Sequence, residues 1–143
     1  MISVKFLTNP TRTISSTAES AHFLLSGIIN WRSHTRSQVW RPPTDVYETA
    51  EQIVVRVEIA GMSNDDFSVI IYQNTLVING IRRDVCQKRA FHQIEIPFGD
   101  FSTEVELTSP VELERVEATY QDGFLQVVLP KPHKSPIHIS TTD

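Results

Sequence analysis

The stretch that decides the fold is Ala118-Thr119-Tyr120-Gln121-Asp122-Gly123-Phe124-Leu125-Gln126-Val127-Val128-Leu129-Pro130. It reads as a hairpin, two alternating strands around an Asp-Gly turn whose residues both tolerate the positive φ of a tight type I′ turn. Side chains alternate across a strand, so Val116, Ala118 and Tyr120 share one face of the first strand. Leu125, Val127 and Leu129 share one face of the second. Pro130 closes the hairpin because it has no amide hydrogen to give to a ladder.

The same period of two recurs upstream. Trp40-Arg41-Pro42-Pro43 ends any helix before it, since adjacent prolines force extended backbone. Asp45, Val46, Tyr47 and Glu48 then form a short strand expected at a sheet edge. Ile53, Val55, Val57 and Ile59 alternate with Gln52, Arg56 and Glu58 in a half-buried strand. Ser63-Asn64-Asp65-Asp66 reads as a turn or single helical turn, and Phe67, Val69 and Ile71 line one side of the strand after it. Gln73-Asn74 turns the chain into Leu76-Val77-Ile78, and the polar run from Gly80 to Lys88 is expected to be a surface loop. Phe91 to Ile96 alternates weakly, with His92, Ile94 and Ile96 on one face, before Phe101, Thr103, Val105 and Leu107 point inward from the next strand. Seven or eight short strands with no long amphipathic helix between them predict an all-β sandwich of immunoglobulin-like topology rather than a βαβ unit.

With 143 residues, 40% apolar and 21% charged, the chain suits one globular domain, residues 40–130, with flanking arms at 1–39 and 131–143. A net charge of −4 carries no basic footprint, so nucleic acid is not an expected partner. Cys86 stands alone and cannot form an internal disulfide, the usual state in a reducing cytoplasm, which is the expected location. No apolar h-region follows Lys5 and Arg12, and the cluster from Phe23 to Ile29 is broken by Ser26 and Gly27. Neither a signal peptide nor a membrane span, which needs about 20 apolar residues, is expected.

Catalytic chemistry is not expected either. The sequence holds no Gly-x-x-x-x-Gly-Lys and no Gly-x-Gly-x-x-Gly, so nothing cradles a nucleotide phosphate and any work should be ATP-independent. Asp65 and Asp66 are adjacent and point apart, which suits the start of a helical turn better than acid-base catalysis. His22, His34, His92, His133 and His138 are scattered, and the last two lie on a tail without a rigid scaffold or a neighbouring cysteine. No metal site and no cofactor follow from that pattern. Cys86 falls in the polar loop, where no base or cation is fixed beside it, and reads as an inert exposed thiol.

The two ends carry the remaining apolar signals. Phe23, Leu24, Leu25, Ile28, Ile29 and Trp31 suit one face of a short helix that Ser20 would cap and Gly27 would weaken. That stripe either docks on another chain or a client, or packs on its own domain. Lys131 to Pro136 is a hydrophilic, proline-containing tether. Beyond it Ile137 and Ile139 project to one side of extended backbone and His138 to the other, forming either a two-knob plug or a last strand or frayed end of the same domain. One plug binds weakly, whereas many in one assembly hold through effective concentration.

Ala118, three residues, then Asp122, Gly123, Phe124 and Leu125 resembles the hairpin signature of the small heat-shock proteins, the α-crystallin-domain family. Pro136-Ile137-His138-Ile139 is similar to that family's C-terminal Ile-x-Ile tail, and Trp40, Pro42, Asp45, Tyr47 and Glu48 resemble the opening of its domain. The resemblance covers about residues 40 to 139. It implies an ATP-independent holdase that keeps partly unfolded proteins from aggregating, working as a homo-oligomer built from dimers. It also implies that Ile137 and Ile139 plug a groove of a neighbouring subunit, between the strand of Val69 and Ile71 and the strand of Val116 and Ala118.

In the bacterial and plant branches a segment corresponding to Ala90, Phe91, His92, Gln93 and Ile94, on to Ile96, crosses to a partner's first strand. Here that strand is near Asp45, Val46 and Tyr47. Such an exchange removes two exposed edges. The chain departs from the family's Gly-x-Phe-x-Arg-x-Phe-x-Leu-Pro, having Thr103 in place of the arginine and its proline displaced to Pro110. The alternative is a β-sandwich co-chaperone or adaptor module that docks on one dedicated partner. The tail and the exchanging segment speak against it, since a monomeric adaptor needs neither.

Overall fold

The computed structural model describes residues 2–7, 39–84 and 90–133. The arm residues Phe23, Leu24, Leu25, Ile28, Ile29 and Trp31, the thiol of Cys86 and the tail residues Ile137 and Ile139 lie outside the described residues. Strands form over the runs rich in β-branched and aromatic residues, alternating in some and continuously apolar at residues 69–71 and 76–78: β1 (Val4–Leu7), β2 (Thr44–Glu48), β3 (Gln52–Glu58), β4 (Phe67–Tyr72), β5 (Thr75–Arg82), β6 (Gly99–Glu106), β7 (Glu117–Gln121) and β8 (Phe124–Pro130).

They build two four-stranded sheets, ordered β1-β4-β5-β6 and β2-β3-β8-β7. All neighbouring pairs are antiparallel except β1 with β4, which run parallel. The opening hairpin is β7–β8, and Asp122 and Gly123 both take positive φ, 52° and 83°, as the type I′ turn demands. Its ladder continues from β8 onto β3, with Val127 opposite Val55 and Leu125 opposite Val57.

The core is the space between the sheets. Ile53, Val55 and Val57 of β3 and Ala118, Leu125, Val127 and Leu129 of the hairpin meet Phe67, Val69, Ile71, Leu76, Ile78, Phe101 and Val105 of the other sheet. Burying a side chain of this size yields about 1.5–3 kcal/mol, so the inward faces are the main source of cohesion. The all-β immunoglobulin-like sandwich expected from the alternation is the fold observed.

Polar groups at the rim are paired. Thr103 is buried, and its hydroxyl accepts from Arg41 Nε at 3.3 Å and lies 3.3 Å from Thr44 Oγ1. Trp40 runs beside β6, donating its amide to Asp100 and accepting from Ser102, both at 3.0 Å. Asn64–Asp66 is a single 3-10 turn, and the Asp66 carboxylate accepts the Ser63 amide at 2.8 Å. Asp66 is therefore engaged in starting a turn.

Three expectations are revised by the structure. Gly80, Ile81 and Arg82 belong to β5 and not to a surface loop, because this end of the strand is paired on both sides, to β4 at Gly80 and to β6 throughout. Among the described residues, Phe91 to Ile96 enters none of the strand ladders. Within residues 1–39, β1 is part of the sandwich itself.

Candidate functional site: a groove filled by the first strand

The groove expected between Val69 and Ile71 on one side and Val116 and Ala118 on the other lies along one open side of the sandwich. On that side β7 is the outer strand of one sheet, and β4 lies next to the outer strand of the other. Val69, Ile71 and Ala118 are buried, and Val116, just before β7, is half-buried against the core.

Strand β1 occupies this groove. Val4 pairs with Val69 and Phe6 with Ile71 along β4, while Ile2 bridges to Ala118, donating its amide to the Ala118 carbonyl at 3.4 Å. The strand therefore holds both sheets. Ile2 is only 4% exposed and belongs to the core cluster, and Val4 packs against that cluster. Residues missed by the sequence reading are thus Ile2, Val4 and Phe6. Their signal was present in Ile2-Ser3-Val4-Lys5-Phe6, a run of period two in which Ile2 and Val4 stand two apart as Ile137 and Ile139 do.

The opposite side of the sandwich carries the other expected contact region. Strand β2 is the outer strand of its sheet, and along it Asp45, Val46, Tyr47 and Glu48 are exposed. Ala90, Phe91, His92, Gln93, Ile94 and Ile96 are exposed as well, with Ile94 at 67% and Ile96 at 64%. No pairing between this segment and β2 exists within the chain.

Arg82 anchors the end of that segment. Its Nε donates to the Pro97 carbonyl at 3.0 Å, Nη2 donates to the same oxygen, and Nη1 donates to the Ala60 carbonyl at 3.3 Å. The guanidinium also lies 4.5 Å from the Trp40 ring centroid and 5.3 Å from that of Phe98. Burial pushes its pKa below the ordinary value, opposed by the Tyr120 phenol.

Among the described residues no three His, Cys, Asp or Glu side chains gather to hold a metal ion. Among them, too, no buried side-chain nitrogen or oxygen lacks a hydrogen-bond partner, and no helix is long and apolar enough to cross a membrane. What the site offers is backbone edge and apolar surface, the materials of strand addition.

Comparison with known proteins agrees with that inventory. Residues 45–142 match the model of the Hsp20/alpha crystallin family. The chain is 30% identical over 108 residues to small heat shock protein C4 of Rickettsia felis, a match spanning 74% of this chain and 66% of that protein. It is 28% identical over 119 residues to heat shock protein 16 of Schizosaccharomyces pombe, covering 78% of this chain and 83% of that one. Among solved structures, heat shock protein 16.0 of Schizosaccharomyces pombe superposes with a TM-score of 0.61 at 23% identity, covering 91% of this chain and 96% of that chain. A small heat-shock protein of Xylella fastidiosa superposes with a TM-score of 0.62 at 23% identity, over 73% of this chain and 98% of that chain. The family match spans most of the sequence and the sandwich carries the same fold, so the chain belongs to the Hsp20/alpha crystallin family of small heat-shock proteins.

Proposed function

We propose that this protein is an ATP-independent holdase chaperone, an oligomer of strand-exchanged dimers that binds partly unfolded proteins and keeps them from aggregating. The observation that carries the reading is the exposure of large apolar side chains at two places, Val46 and Tyr47 on β2 and Phe91, Ile94, Ile96 and Phe98 on the segment before β6. Such a surface marks a protein contact, and an outer strand with an exposed edge offers backbone to which a segment of a second copy can add. Ala90, Phe91, His92, Gln93 and Ile94 would add to Asp45, Val46 and Tyr47 of a partner, and the partner would do the same, an isologous exchange.

Dimers would join through Ile137 and Ile139, entering the groove of Val69, Ile71, Val116 and Ala118 on a neighbouring dimer. The Xylella fastidiosa relative is described as having a distinct high order structure, which supports an assembly larger than a dimer as the working form. Clients would be held by the apolar arm of Phe23, Leu24, Leu25, Ile28, Ile29 and Trp31 together with groove surface, since hydrophobic burial is non-directional and suits partners without a common sequence. The site of action would be the cytoplasm.

The test is native mass by light scattering, for the intact chain and for one ending at Pro132, alongside turbidity of a heat-labile client without nucleotide. A large oligomer that falls to a dimer on truncation, with suppression of client aggregation, is the expected result. A monomer indifferent to truncation and inert toward the client would move the protein to a dedicated adaptor role.

A further inference from the structure

Resting on the reading that the tail plugs the groove, we propose that the Ile2–Leu7 segment is the groove's resident ligand. The Ile137-His138-Ile139 tail then enters only by displacing it. The two segments have the same chemistry. Each sequence has two branched apolar residues two apart with a polar residue, Ser3 or His138, between them, a spacing that puts both on one side whenever the backbone is extended.

They also need the same place. One side of β4 is taken by β5, so a single ladder side remains, and β1 fills it from Val69 to Tyr72. A tail strand bonded to that edge and β1 bonded to it are mutually exclusive. Ile2 additionally takes the Ala118 carbonyl, so the β7 wall is occupied by the same segment.

The resident is held loosely enough to leave. Its grip is uneven, with Ile2 buried, Val4 half-buried and Phe6 38% exposed. A four-residue outer strand whose buried anchor, Ile2, lies just before it belongs to the low-stability end of a fold, where local opening is easy. A groove whose resident is seated about 90% of the time binds a competing segment about tenfold more weakly, because only the open fraction is competent. Groove occupancy by β1 therefore sets how readily subunits join through their tails, and release of the first strand favours assembly.

The experiment uses full-length chain carrying Ile137→Ser and Ile139→Ser, so that its own tail is silent, with or without Ile2→Ser and Val4→Ser. The probe is a fluorescent peptide of residues 133–141, read by anisotropy, with a peptide bearing Ser at both isoleucine positions as control. About tenfold tighter binding in the Ile2→Ser, Val4→Ser background is expected. Equal binding in both backgrounds overturns the competition while leaving the tail reading intact. Binding in neither overturns the tail reading and the competition with it. A second measurement avoids substitution in β1. Hydrogen exchange of Val4–Leu7 amides in the tail-silent chain should speed up on saturation with the isoleucine peptide, and unchanged protection at saturation overturns the proposal even if the substituted chains misfold.

Discussion

Phe67 and Phe101 meet edge to face across Gly80, with ring centroids 6.2 Å apart and planes at 70°. The register explains why, since Gly80 lies opposite Phe67 on β4 and opposite Phe101 on β6, so all three share the inward face. The missing side chain leaves room for two rings that a wider residue would hold apart.

A Cβ at Gly80 would stand 2.8 Å from the Phe101 ring and in collision with the backbone oxygen of Asp66. Because the oxygen is backbone, Gly80→Ala cannot be absorbed by a rotamer change. Overpacking of this kind costs about 1–3 kcal/mol or more. Urea unfolding should report a loss in that range with the m-value preserved, and a variant as stable as the parent would contradict the close approach.

Tyr120 ties the end of the hairpin to the turn after β3. Its hydroxyl donates to the Ile59 carbonyl at 3.0 Å and accepts the Met62 amide at 3.4 Å, and its ring lies 5.0 Å from that of Phe67. Tyr120→Phe keeps the ring contact and removes only the hydroxyl, leaving two backbone groups to find other partners. A loss of about 1–2 kcal/mol in urea unfolding is expected. A negligible change would mean that solvent replaces both bonds.

The sandwich was legible in the sequence because its strands carry their own evidence. Val55 and Val57, and Leu125, Val127 and Leu129, recur with a period of two, and the inward set follows without knowledge of any partner. Strand β1 shows the same alternation over a shorter run, inside a stretch rich in Ser and Thr, and its strand character depends on the edge of β4 far along the chain. Local pattern does not encode that partner.

The end of β5 was obscured for a different reason. Gly80 and Arg82 resemble loop composition, yet one is kept small by two rings and the other stacks on Trp40. Thr103 was readable as inward-facing, but the groups that satisfy its hydroxyl, on Arg41 and Thr44, come from a segment paired to β6 only in three dimensions. Val69, Ile71 and Ala118 were readable as inward-facing, whereas the pairing of Ile2 and Val4 beside them was not foreseen.

Glu48 gives a pH dependence whose sign is fixed by its partners. A hydrogen bond from Lys131, then one from Ser109, holds its carboxyl below the ordinary value of 4.5, with the Lys131 charge and Thr108 adding to the effect and burial opposing it. A depressed folded-state pKa contributes stability that is present above the unfolded value and lost as pH falls through the folded one. The melting temperature of the parent should exceed that of Glu48→Gln at pH 7, and the gap should close below the folded pKa of Glu48. The contact is exposed and screened, so the gap should also shrink in high salt. A difference independent of pH would show that Glu48 acts through packing.

Ile94 separates a surface residue of one chain from an interface residue of two. At 67% exposure it contributes little to the subunit, and Ile94→Asp should leave unfolding of the isolated subunit within about 0.5 kcal/mol of the parent. If the segment from Ala90 to Ile96 lies against a partner's β2, the same carboxylate is forced against apolar surface without a counter-charge. An uncompensated charge at a buried contact weakens association on the order of 100-fold or more. Sedimentation velocity over a concentration series should then find folded monomer where the parent is dimeric or larger. Ile81→Asp, also exposed but on β5, should leave the association unchanged. Equal assembly of the Ile94→Asp chain and its parent would remove the segment from the interface and leave the strand exchange without support.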